Sequence, residues 1–210
     1  MRKWMGGFCI LLGIACLAGA IGFVMYNRWE ADNAEQVSQS MLEDVQQAIV
    51  SAKPTLPAPD IPDETQGSTP TEEAPVELPT EIPTVQVDGY DCIGILSIPA
   101  LGVELPVLTD WSYEKLKKAP CHYYGSYNES DFVIAAHNYN AHFGRLSQLQ
   151  PGDLVVFTDV SGVAHYYEAV LVETLPKEAT REMIASGFDL SLYTCTPGGA
   201  NRVTLRCNRK

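Results

Sequence analysis

Positive charge is scarce in this chain: 14 Lys and Arg stand against 26 Asp and Glu, a net charge of −12 over 210 residues. Residues 88–210 hold 10 basic and 14 acidic side chains with no basic stripe, which excludes nucleic acid as a partner. Aromatic residues are missing from Lys53 to Val87, a stretch with one Lys, seven acidic residues and eight of the 14 prolines. Such a composition cannot build a core, and 53–87 is predicted to be a disordered linker. Extended in polyproline fashion it reaches roughly 100 Å, enough to lift a folded part away from a surface. Leu78-Pro79-Thr80-Glu81 within it has no apolar tail or basic end after it and carries no function.

Charge of either sign is absent from Met5 to Tyr26. As a helix this run spans about 33 Å, the thickness of a bilayer's hydrocarbon core. Arg2 and Lys3 precede it, whereas Arg28 is followed at once by Glu30 and Asp32, so the positive-inside rule puts the N-terminus in the cytoplasm and the rest outside. A cleaved signal peptide is the rival reading, but the run is long for one and no small-x-small site follows. Residues 1–28 are therefore expected to form a cytoplasmic tip and a single-pass membrane anchor. Val37, Met41, Val45 and Ile49 then recur at helical spacing, predicting a separate juxtamembrane helix over 29–52.

Residues 88–210 suffice for one core and are too few for two domains. Strand signals fall at 92–98, 103–107, 132–136, 154–158, 164–174, 190–194 and 203–207, and helical ones at 113–118, 143–149 and 180–186. The fold class is mainly β, a single closed barrel of seven to eight strands with short helices. Two strands end on reactive side chains. The run Leu190 to Thr194 delivers Cys195 just ahead of the breaker Pro197-Gly198-Gly199, and the run Phe132 to Ala136 delivers His137. Arg202 opens the following strand, and Arg206 shares its strand parity, so both guanidiniums are expected to line one groove.

A thiol is mostly protonated at neutral pH, and a neighbouring imidazolium or guanidinium raises the reactive thiolate fraction. Cys195 is thus a candidate nucleophile, His137 its acid-base partner and Arg202 a donor to the oxyanion or to the substrate backbone. His142 is the local rival to His137. The two are five apart with no Cys or Glu to complete a set, which argues against a metal role, and no cofactor is needed. Of the remaining cysteines, Cys9 and Cys16 lie in the apolar run. Cys92, Cys121 and Cys207 allow three disulfide pairings or none.

From about Tyr90 to Cys207 the chain resembles the sortases, membrane-anchored cysteine transpeptidases of Gram-positive bacteria. The resemblance rests on Ser191-Leu192-Tyr193-Thr194-Cys195 for the family's T-L-x-T-C signature, Ala136-His137-Asn138 for its histidine, Arg202-Val203-Thr204-Leu205 for its arginine strand, and Gly94 to Val107 for its paired first strands. Ala136 replaces the Gly before the histidine and Ser191 the first Thr of the signature, which clouds the subclass, class B- or D-like included. The resemblance implies a barrel that cleaves a Leu-Pro-x-Thr-Gly-like sorting signal on secreted proteins and passes the acyl group to an amine. Thr194, Asn138 and Arg206 would contact substrate. A peptidoglycan cross-bridge amine would make the protein a wall anchor, and a pilin lysine would make it a polymerase. A Cys-His hydrolase of wall peptides and a non-enzymatic binding barrel are the alternatives.

Overall fold

The computed structural model describes residues 2–52 and 82–210. The tract 53–81, with Leu78 to Glu81, lies outside the described residues. Nine strands form one sheet: β1 (Val85–Val87), β2 (Tyr90–Ile98), β3 (Val103–Leu108), β4 (Cys121–Tyr124), β5 (Phe132–Ala135), β6 (Leu154–Asp159), β7 (Ala164–Pro176), β8 (Leu190–Cys195) and β9 (Asn201–Arg209). Their order is β1-β2-β3-β4-β5-β8-β9-β7-β6, and β6 pairs back onto β2. Strands β2 to β9 thus close an eight-stranded barrel, with β1 appended as a hairpin arm.

Alternation along the strands sorts the side chains into two apolar layers. Leu96, Ile98, Phe132, Ile134, Phe157, Leu192 and Leu205 fill the barrel. Cys92, Ile95, Leu108, Val133, Ala135 and Tyr193 face outward and would be wet without a cover. That cover is α1 (Arg2–Ala52), one continuous helix of 51 residues rather than the expected anchor and separate juxtamembrane helix. Its stripe of Ala34, Ser38, Met41, Leu42 and Val45 is buried on the outer layer, the 3.6-residue period meeting the sheet's flat face. The short helices α2 (Tyr113–Leu116) and α3 (Thr180–Ile184) supply Leu116 and Met183 to the same layer.

Two further sequence expectations are corrected here. The segment 143–149 holds only a 3-10 turn at Leu146–Gln148, because its leading amides close a loop on His137 and Tyr139 instead of continuing a helix. The final residues of the 53–87 linker belong to the fold, since β1 pairs with β2 and Ile82 packs on the core. Ile82 therefore belongs to the packed unit, as does α1 through Ile49.

Candidate functional site

The barrel brings His137 and Cys195 together by pairing β5 and β8 in parallel. Ala135 lies opposite Tyr193, and the ladder runs one step further as the Ala136 amide donates to the Tyr193 carbonyl at 3.1 Å. Both chains then leave the sheet at one edge, so the next residues, His137 and Cys195, flank the same opening. Antiparallel pairing of β8 with β9 sets Arg202 directly opposite Cys195. Cβ atoms of such pairs lie about 4.5–5.5 Å apart. A cleft of about 290 Å³ opens at this edge, lined by His137, Asn138 and Cys195 with Tyr113 and Leu116 on one wall and Gly198 and Gly199 on the other. A second cavity of about 330 Å³ adjoins it through Asn138, Cys195 and Thr196 and reaches Thr194.

Burial separates the thiols. Cys92, Cys121 and Cys207 are free and wholly buried, and burial pushes each of their pKa values up to about 12. Cys195 is free and exposed. It is the one barrel thiol open to a substrate. No disulfide links the cysteines among the described residues.

The Arg202 guanidinium lies over the Tyr193 ring at 5.1 Å, and its buried Nη1 has no hydrogen-bond partner. A stacked arginine is held in direction while keeping donors free for a substrate oxygen. Arg206 has the predicted face but not the predicted role. α3 and β7 cover it, and it is only 2% exposed. It donates to Glu173 Oε1, Ser191 Oγ and the Glu182 carbonyl, each at 2.7 Å. Strand parity fixed the side; the covering loop decided that this arginine knits structure and does not line the cleft. Thr194 points away from Cys195, with a buried Oγ1 that lacks a partner. Asn138 lines both cavities.

The sequence reading missed Tyr139. Its ring stacks on His137 at 4.0 Å between centroids and 16° between planes. Its buried hydroxyl sits beside the α1 carboxylate of Glu30, and burial with that charge pushes its pKa up to about 12. Burial lowers the pKa of His137, whereas Asn138 and Glu30 act to raise it. Neutral imidazole therefore predominates at neutral pH, the form that accepts a proton. Replacing Glu30 by Gln removes a charge that favours imidazolium, so an NMR titration of the His137 ring in Glu30→Gln is expected to show a midpoint below that of the parent.

The loop that carries His137 is tied back on itself. Phe143 N donates to His137 O at 3.2 Å and Gly144 N to Tyr139 O at 2.9 Å. A Cβ on Gly144 would meet Asn138 O at 2.5 Å and Tyr139 O at 2.8 Å, both backbone atoms that cannot swing aside. Gly144→Ala is therefore expected to displace the His137 loop and to cut turnover by about 100-fold, the cost of roughly 1 Å of misplacement. Far-ultraviolet circular dichroism should show the barrel retained. On the other side, Asp131 Oδ1 accepts from Ser186 N, Ser186 Oγ and Gly187 N at 2.7–3.0 Å, fixing the approach to β8.

A profile described as a sortase domain matches residues 96–210. No curated protein sequence matches the chain. Among solved structures, sortase C from Clostridium perfringens superposes with a TM-score of 0.51 at 22% identity, covering 57% of this chain and 70% of its own. Sortase A from Corynebacterium diphtheriae gives 0.52 at 24%, covering 58% and 61%. A pilus-related sortase C of Group B Streptococcus gives 0.52 at 24%, covering 64% and 77%.

Proposed function

As this chain belongs to the sortase family, we propose that it is a cysteine transpeptidase that cleaves a Leu-Pro-x-Thr-Gly-like sorting signal and transfers the acyl part to an amine outside the membrane. The observation that carries this reading is an exposed Cys195 that shares one cleft with His137 and has Arg202 paired opposite it on the neighbouring strand. His137 takes the proton of the Cys195 thiol, and the thiolate attacks the carbonyl carbon of the Thr-Gly bond. Arg202 donates to the oxyanion that forms. Collapse breaks the C–N bond, and the leaving amine takes the proton from the His137 imidazolium. An incoming amine then attacks the thioacyl group, gives its proton to His137 and releases Cys195 as thiolate. The apolar half of α1 is long and apolar enough to cross a membrane, and in this reading it anchors the protein with the barrel outside.

Intact-mass spectrometry of the full chain in detergent with a panel of such peptides tests this. An acyl adduct that is absent in Cys195→Ala and His137→Ala, and is resolved faster by added amine, is the expected result. Resolution by water at a rate indifferent to amine would make the protein a hydrolase. No adduct with any peptide would leave a binding barrel.

A further inference from the structure

We propose that α1 clamps the cleft end of the barrel against the lipid headgroups, so that substrate is processed at the membrane surface and not at the end of a tether. The proposal rests on the reading that the apolar half of α1 crosses a bilayer. α1 is unbroken from Arg2 to Ala52, and its outer half is fixed to the barrel by Met41, Leu42 and Val45, none more than 6% exposed. The direction of the membrane normal is thereby transferred to the barrel.

The docking also has a polarity. At the inner end, Glu30 pairs with Lys117 beside α2 at 3.5 Å, and Arg28, Ala31 and Asp32 border a hollow with Asn140 and Ala141 of the His137 loop. At the outer end, Gln46 donates to Glu104 at 3.2 Å, and Ile49 lies 3.3 Å from where a Cβ on Gly162 in the β6–β7 turn would sit. Counting from Tyr26, the last residue of the charge-free run, Glu30 is about 6 Å further out and Ile49 about 35 Å. The cleft end of the barrel therefore faces the bilayer, and the β6–β7 turn points away.

Side chains at that end suit an interface. Tyr26 and Trp29 are exposed at 58% and 63%, with rings 6.2 Å apart. The α2 loop exposes Trp111 and Tyr113, and Lys117 and Lys118 line a second hollow with Tyr26 and Trp29. Aromatic rings settle at headgroup level.

The test uses the full chain in lipid nanodiscs with Cys9, Cys16 and Cys195 replaced by Ala, and a nitroxide on either Asn140→Cys or Ser161→Cys. Power saturation with oxygen and a water-soluble nickel chelate reads depth. The Asn140→Cys label is expected within about one to two helical turns of the phosphates, and the Ser161→Cys label well beyond them. Undocking α1 with Val45→Glu should erase the difference. Equal depths without that substitution, or the reverse order, overturn the proposal while leaving the anchor intact. Failure of the chain to float with lipid overturns the anchor reading and the proposal together.

Discussion

Arg202→Ala should lower turnover of a sorting peptide by about 10²–10³-fold while lowering the melting temperature by only a few degrees, and Arg206→Ala should do the reverse. The two arginines share a strand and a face, yet their surroundings assign them opposite work. Arg202 is half-buried opposite Cys195, with Nη1 unpartnered, so its removal breaks no hydrogen bond and loses only the stack on Tyr193, about 0.5–1 kcal/mol. Arg206 holds Glu173, Ser191 and the Glu182 carbonyl. Truncating it leaves a buried hydroxyl and a carbonyl unsatisfied and a carboxylate without its partner. Breaking a buried pair in this way costs about 3–5 kcal/mol. The low end applies because the Glu173 side chain keeps 36% exposure. A loss near 3 kcal/mol corresponds to a fall of roughly 10 °C or more in a domain of this size. Differential scanning fluorimetry in detergent, beside a peptide-cleavage assay, checks both arms. A large drop in melting temperature in Arg202→Ala would sink the assignment.

His142→Leu should make the protein markedly more resistant to acid. His142 is fully buried and neither ring nitrogen has a partner. Burial, with a smaller contribution from neighbouring His137, lowers its pKa from 6.5 to about 4. The unfolded chain therefore binds a proton before the folded one as pH falls. Stability present above pH 6.5 is lost progressively down to about pH 4, at up to 1.4 kcal/mol per pH unit, about 3 kcal/mol in all. Leucine removes the titrating group and two unsatisfied polar atoms together. Urea unfolding at pH 7 and pH 4.5 should show a smaller gap between the two conditions in His142→Leu than in the parent. An unchanged gap would mean that this ring takes its proton without unfolding.

Strands with long apolar runs were legible in the sequence. β5, β8 and β9 are read from Phe132 to Ala136, Leu190 to Thr194 and Val203 to Cys207, and with them the reactive ends His137 and Cys195. β4 escaped because Cys121-His122-Tyr123-Tyr124 is short and mixed, and it is a strand only because β3 and β5 flank it. β1 escaped because its three residues follow a proline-rich tract and gain their order from pairing with β2. Sequence spacing carried no sign of Glu30 beside Tyr139, a contact made across the whole docked helix. Arg206 shows the same limit in another form: parity names a face, and only the tertiary structure says what covers it.

The docking of α1 also changes what a break in the chain can do. A surface protein on a plain tether is shed by one proteolytic cut between anchor and domain. Here the tract 53–81 begins and ends on the same packed unit, and a cut within it leaves the barrel gripped through Met41, Leu42 and Val45. Separation then needs two events, cleavage and the parting of an apolar interface, so the barrel of a nicked molecule stays with its N-terminal helix.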